Sequence, residues 1–345
     1  MQVEIIRENQ SGQRLDKYLK KLLPQAGTGF LYKMLRKKNI TLNGKKAEGS
    51  ELLRKGDEVK FFFSEETFLK FTGSQEQAEI KTKEYLKAYQ KLKGIEVLYE
   101  DAHILVLNKP AGILSQKAAP EDSSLNEWML GYLLQENPSL EKEISSFKPS
   151  VCNRLDINTS GIVLCGKSLP GLQYLSQCIK ERSVQKFNRT VCTGCLDKGE
   201  LISGYLKKDE KQNQVQIMEE KPDGEDASYI ETAYQPILST NRYTLLEVEL
   251  ITGKTHQIRA HLANIGHPLI GDTKYGEQDC NCYMQSTFGL RHQLLHAYRV
   301  VFPETENPAG AALSGKTITA PLPPRFEQIQ KSLFGKAVTD GNLEF

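Results

Sequence analysis

The chain has 345 residues, enough for two domains and a substantial core, and its 26% charged and 39% apolar residues are those of an ordinary soluble globular protein. Its seven cysteines are odd in number and scattered, which excludes a disulfide framework; the Met1-Gln2-Val3-Glu4 start lacks a signal-peptide pattern, and no apolar run approaches a membrane span. A cytoplasmic protein with reduced thiols is expected. The net charge of +2 hides an asymmetry: residues 1–63 hold 14 Lys/Arg against 7 Asp/Glu, so the rest of the chain carries −5. A basic front end suggests a partner with phosphates; its bland alternative is a solvated lysine-rich surface.

In chain order, Leu15, Leu19, Leu22 and Leu23 form a helical stripe that Pro24 and Gly27 end. A second helix starts near Gly29, with Leu31, Met34 and Leu35 apolar and Lys33, Arg36, Lys37 and Lys38 basic. Ile40-Thr41-Leu42 leads into Asn43-Gly44, a strong hairpin signal, and Lys55-Gly56-Asp57 makes another turn. Residues 64–94 read as a polar connector in which Glu76–Lys93 fits an amphipathic helix with Ile80, Leu86 and Leu92; its sign-alternating charges suggest that it faces solvent, and no chemistry is assigned. From Ile95 the pattern turns to strands: Ile95 to Tyr99 alternates, and Ile104-Leu105-Val106-Leu107 is a buried run before the Asn108-Lys109-Pro110-Ala111-Gly112 loop. A helix over Ser124–Leu134 carries Trp128, the single tryptophan, and Glu136–Pro149 is polar loop.

The most informative stretch is Asn153-Arg154-Leu155-Asp156-Ile157-Asn158-Thr159-Ser160-Gly161, followed by the apolar run Ile162 to Cys165. It reads as a polar turn feeding a buried strand. Arg154 and Asp156 are two apart, so in an extended segment they point the same way. Charges beside a buried strand are costly unless paired or used, and the bland reading is a structural ion pair.

Further on, Leu169–Lys180 reads as a helix and Lys186–Cys192 as a strand ending at Gly194; Lys198–Glu225 is a charged, hairpin-like stretch. Strands over Ala227–Gln235 and Tyr243–Leu250 flank a turn at Pro236–Arg242. Gly253-Lys254-Thr255 is not a phosphate loop, because Val248 stands where the earlier glycine is required. It reads instead as a strand passing into a helix, capped by Thr252 or Thr255, with His256 and Arg259 on one face. His292 and His296 have zinc-protease spacing, but Gln293 occupies the position of the general-base glutamate. The Cys192/Cys195 and Cys280/Cys282 pairs are a second metal candidate, although Cys192 lies within a strand and the second pair is tightly spaced. A last helix is expected over Arg325–Phe334, with 336–345 a flexible tail.

Asn-Arg-Leu-Asp-x-x-Thr-Ser-Gly before an apolar strand resembles the catalytic motif of RluA-type RNA pseudouridine synthases, with Asn153 where His is usual and Ile157 where a basic residue is frequent. The resemblance implies that Asp156 is the nucleophile and that Arg154 holds the substrate nucleotide. The Asn-Lys-Pro-x-Gly run and the Gly266–Asp272 loop are similar to family segments too. Thr252 to Leu262 resembles the third motif, whose arginine, here Arg259, pairs with the aspartate; a nearby cation favours the charged carboxylate. The tyrosine that packs on the target base in the second motif falls on Asn188. Either Asn188 replaces that ring or a local bulge lets Phe187 serve. Residues 1–63 resemble the S-four-like RNA-binding module, in which the second helix and the following loop lie on RNA phosphates.

The expected architecture is therefore α+β: a small α/β RNA-binding module (1–63), a helical linker (64–94), and a catalytic domain (95–335) around a mixed, largely antiparallel central sheet. The resemblance implies isomerisation of uridine to pseudouridine in RNA, ribosomal and of the large subunit, by a monomer with no cofactor and no metal. A non-catalytic, ribosome-associated RNA-binding protein and a zinc-dependent hydrolase are the rivals.

Overall fold

The computed structural model describes residues 1–72, 75–144, 147–209, 214–222 and 227–335; the expected tail at 336–345 lies outside them. The front of the chain forms β1 (Gln2–Ile5), α1 (Leu15–Leu22), α2 (Thr28–Arg36), β2 (Ile40–Leu42), β3 (Lys45–Lys46) and β4 (Glu58–Phe61). These strands make an antiparallel sheet ordered β1-β4-β2-β3. Leu15, Tyr18, Leu19 and Leu22 recur at three and four residues, so they share one face of α1; that face is buried with Leu31 and Leu35 of α2 and Val59 and Phe61 of β4. Asn43 and Gly44 have φ of 51° and 72°, the paired positive values of a two-residue hairpin turn.

Next come α3 (Glu65–Thr72) and α4 (Gln75–Lys91), then β5 (Glu96–Glu100), β6 (Ile104–Lys109), α5 (Leu125–Glu136), α6 (Leu140–Glu143), β7 (Ser150–Val151), β8 (Ser160–Gly166) and α7 (Leu169–Glu181). The chain continues through β9 (Gln185–Thr193), β10 (Glu200–Asp209), β11 (Gln214–Met218), β12 (Ala227–Ser239), β13 (Tyr243–Leu250) and α8 (Gln257–Asn264). It closes with α9 (Gln278–Phe288), β14 (Leu295–Val301), β15 (Thr317–Thr319) and α10 (Pro324–Phe334).

Residues 64–94 divide between two cores. Phe68 and Phe71 of α3 pack on the front core, with ring centroids 5.1 Å from Phe61 and 4.6 Å from Phe30. Tyr85 and Ala88 of α4 are buried, and α4 lies along α5. The contact is close because Gly131 of α5 has no side chain: a Cβ there would sit 2.2 Å from the Tyr85 carbonyl. The amphipathic helix expected over Glu76–Lys93 is thus α4, which turns one face to the body instead of lying wholly in solvent.

The large sheet runs β11-β10-β12-β13-β9-β14-β8-β6-β5, with β15 on β14 and β7 on β8. Of its pairings only β14 with β8 is parallel, which makes it the mixed, largely antiparallel sheet expected. Alternate residues of β6 and β8 feed opposite cores. Leu105, Leu107, Val163 and Cys165 meet α5, whereas Ile104, Val106, Ile162 and Leu164 meet α7. Both faces are covered, which is why these strands are continuously apolar in sequence.

Two expectations change. The strand expected to end at Gln235 runs through Pro236 to Ser239, with a register shift between Pro236 and Leu238. Proline is tolerated at such a bulge because the ladder does not need its missing N–H there. His292 and His296 do not share a helix: His292 precedes β14 and His296 lies within it, its Nδ1 2.8 Å from Ser160 Oγ. The zinc-helix reading fails on that geometry. Among the described residues no helix is long and apolar enough to cross a membrane.

Candidate active site

Asp156 sits on the turn between β7 and β8, and five contacts fix that turn. Thr159 N donates to Asp156 O at 3.0 Å, closing the turn itself. Ser115 Oγ donates to Leu155 O and accepts from Leu155 N (2.9 and 3.0 Å). Asn153 Oδ1 accepts from Leu164 N at 2.7 Å, so this residue ties the turn to the body of β8. Gly112 N donates to Ile157 O at 2.8 Å. Lys109, fully buried, donates from Nζ to the carbonyls of Pro110, Ile113 and Ile157 at 3.0, 2.8 and 3.1 Å. Three carbonyls match the three donors of an ammonium group. Burial pushes the Lys109 amine down to about 7, and the Asp156 carboxylate partly offsets that.

Gly161 sets how closely the turn approaches the sheet. Its φ is 117°, and a Cβ there would lie 2.2 Å from the Ala297 carbonyl. Only glycine lets β8 run this close beside β14.

Facing the turn, α8 supplies Arg259. Its NH1 donates to Asp156 Oδ2 at 2.9 Å, while Nε and NH2 donate to Asp272 Oδ2 and Oδ1 at 2.7 and 2.8 Å. Asp272 is fully buried and accepts also from Lys274 N and Tyr275 N. Burial opposes its charge, but Arg259 and the two amides outweigh this and hold the carboxyl below its usual range. The fork is therefore oriented by one buried carboxylate and offers its remaining nitrogen to the other.

His256 lies beside this pair, with Nε2 3.9 Å from Asp156 Oδ2 and Nδ1 3.0 Å from the Tyr275 hydroxyl. The Tyr275 ring stands 5.3 Å under the Arg259 guanidinium. Neither Thr252 nor Thr255 caps α8. His256 occupies the cap in a left-handed conformation (φ 54°), and Thr252 Oγ1 instead bonds Gln257 Oε1 at 2.9 Å and accepts from Glu231 N.

The remaining site candidates are placed differently. Arg154 is exposed, and Asp156 pairs with Arg259 rather than with it. The segment is a turn, so spacing by two does not bring these two charges together. Asn188 is buried (3% exposed) in β9, between Val248 and Ala297. Cys192, four residues on, packs with Ile258 and Leu262, so Asn188 belongs to the sheet face that α8 covers. The bulge expected near Phe187 lies in β14 instead, at the register shift between Ala297 and Arg299. The β9 strand stays regular against β13, and the Phe187 ring is taken up by the Arg299 guanidinium at 3.8 Å. Asn188 therefore keeps its own face. Sequence reasoning did not assign Asp272, His256, Tyr275 or Lys109 to the site; two recurring-looking loops, Gly266–Asp272 and Asn108–Gly112, were the available signal.

Comparison with known proteins gives the same picture. Residues 103–264 match the family model described as RNA pseudouridylate synthase. A protein of Rickettsia bellii named ribosomal large subunit pseudouridine synthase C is 32% identical over 297 residues, covering 84% of this chain and 89% of that one. The Vibrio vulnificus protein of the same name is 29% identical over 336 residues, 96% of each chain. Among solved structures, human RNA pseudouridylate synthase domain containing 4 superposes with a TM-score of 0.54 at 20% identity, over 75% of this chain and 98% of that one, a likeness of fold. The ion pair that joins Asp156 to Arg259 is thus found in a chain that belongs to the RNA pseudouridylate synthase family and is an RNA pseudouridine synthase.

Proposed function

We propose that this protein converts uridine to pseudouridine in large-subunit ribosomal RNA, with Asp156 as the nucleophile at the sugar. The observation that carries the reading is the Asp156–Arg259 pair at 2.9 Å. A carboxylate held by a clamped guanidinium remains 23% exposed. Attack at the ribose carbon would break its bond to uracil N1. The base then turns and rejoins through C5, displacing the Asp156 carboxylate from the ribose carbon; C5 sheds a proton as N1 gains one, so no redox cofactor is called for. Arg154, exposed beside the nucleophile, would hold the extruded nucleotide or its phosphate, and Asn188 would line the base position on the α8 face. Taking a uridine out of its stack costs a few kcal/mol, which phosphate contacts must repay.

The front sheet and its helices are read as the S-four-like RNA-binding module. Lys33, Arg36, Lys37 and Lys38 at the end of α2 and Lys45 and Lys46 on the neighbouring hairpin are all exposed, as a phosphate-binding edge requires. The named relatives act on ribosomal RNA, which favours that substrate and a cytoplasmic setting here.

The test is a map of pseudouridines in ribosomal RNA from cells with and without the gene, followed by rescue. The wild-type gene should restore the missing positions. Asp156→Asn should fold, bind the RNA with unchanged Kd and restore none. No change in the map, or wild-type turnover by Asp156→Asn, would refute the reading.

A further inference from the structure

We propose that His256 is a positioning residue for the reacting carboxylate: carrying its single ring proton on Nε2, it steers Asp156 Oδ2 together with Arg259 and leaves Oδ1 as the oxygen that meets the sugar. This rests on the reading of Asp156 as the nucleophile.

The argument begins at the other end of the imidazole. Val215 N, in the edge strand β11, donates to the Tyr275 hydroxyl at 2.8 Å. An amide can only donate, so the phenol oxygen is the acceptor there and its own proton is directed elsewhere. His256 Nδ1, 3.0 Å away, is placed to accept it. The ring proton then sits on Nε2, which faces Asp156 Oδ2 at 3.9 Å. The opposite tautomer would turn a lone pair toward a carboxylate and leave the phenol proton without that acceptor. At 3.9 Å the contact is about an ångström beyond a hydrogen bond, the kind of gap that tightens when substrate fills a site. Among the described residues, Arg259 NH1 and His256 Nε2 both approach Oδ2, and Oδ1 receives no donor.

Two further features fit. His256 holds a left-handed backbone conformation at the start of α8, a cost of about 1 kcal/mol for a residue with a side chain, and its ring is hydrogen-bonded at Nδ1 while Nε2 faces Asp156. The charged and titratable groups around it are Asp156 on the turn, Arg259 on α8, and Asp272, Lys274 and Tyr275 on the following loop. Burial lowers the imidazole from its usual value; Asp156 and Asp272 oppose this, and Arg259 and Lys274 add to it. The ring is accordingly neutral at physiological pH. Below its lowered pKa it would place a second full positive charge against Oδ2 and damp the nucleophile.

The experiment measures kcat, KM and their pH dependence for wild type, His256→Leu, His256→Gln and Tyr275→Phe, with the ring tautomer read from nitrogen NMR. His256→Leu should lose about a hundredfold in kcat with KM little changed, the scale of an ångström misplacement. His256→Gln, which keeps an N–H donor, should recover about tenfold of that. Wild-type kcat should fall as pH drops through the histidine pKa, and that acid limb should be absent from His256→Gln and displaced in Tyr275→Phe. The wild-type spectrum should show Nε2–H. A wild type without turnover would sink the reading of Asp156. A normal wild type with His256→Leu within twofold of it, or a ring protonated on Nδ1, would overturn this inference alone.

Discussion

Two clusters of arginine, carboxylate and tyrosine occupy opposite faces of the same sheet. On the α8 face, Arg259 bonds Asp156 and Asp272 with Tyr275 beneath it. On the other face, Glu247 accepts from Tyr298 and from Arg299 at 3.0 Å, with the buried Arg189 stacked 4.6 Å over Tyr298. Their compositions are nearly the same. They differ in what is left over: both oxygens of Glu247 are engaged and its side chain is 4% exposed, whereas Asp156 keeps one oxygen without a donor among the described residues and 23% exposure. A sealed cluster can hold strands together but has nothing to offer a substrate. An incompletely satisfied carboxylate with an oriented cation can react.

That contrast can be broken by mutation, ordered by expected loss of turnover. Asp272→Ala removes two of the three bonds that aim Arg259 and leaves a buried guanidinium underpaired. It should cost about 3–5 kcal/mol in urea unfolding and about a hundredfold in kcat. Asp272→Asn, which keeps the shape, separates the two effects: turnover should fall further than stability does. Gly161→Ala forces a Cβ onto the Ala297 carbonyl at an unfavourable φ, so β8 must shift and carry the Asp156 turn with it. About 2–4 kcal/mol of stability and about tenfold in kcat should be lost, read by thermal unfolding and steady-state assay. Glu247→Gln should lower stability by about 1–3 kcal/mol while kcat stays within about twofold. Turnover falling in Glu247→Gln as far as in Asp272→Asn would erase the distinction between the clusters.

Asp156 and Arg259 were legible in the sequence because each sits in a short contiguous string whose neighbours have fixed jobs. The structure explains two of those neighbours: Gly161 permits the close strand approach, and Asn153 ties the turn to the body of β8. Their partners were not legible. Asp272 meets Arg259 from thirteen residues away, and His256 meets Tyr275 from nineteen, through polar contacts that leave no periodic trace. Lys109 looked like one lysine in a proline-glycine loop, since nothing local shows that three carbonyls surround it. The fold was easier. Continuous apolar strands and alternating ones reported their two-sided and one-sided burial directly. An error arose where local chemistry yielded to packing: Pro236 stays in its strand by way of a bulge. In α4 the apolar positions reported the packed face, Leu86 included, while the alternating charges did not.

The split of residues 64–94 decides where the polypeptide can be cut. A fragment stopped at 63 would leave Phe30 and Phe61 without the rings of Phe68 and Phe71, so an isolated basic module must extend through Thr72 to bury its own aromatics. A body begun at 95 would lack Tyr85 and Tyr89 and bare the stacked Trp128 and Tyr132 to water. The boundary for anyone preparing the two halves therefore falls between α3 and α4, inside the stretch that looks like mere connection.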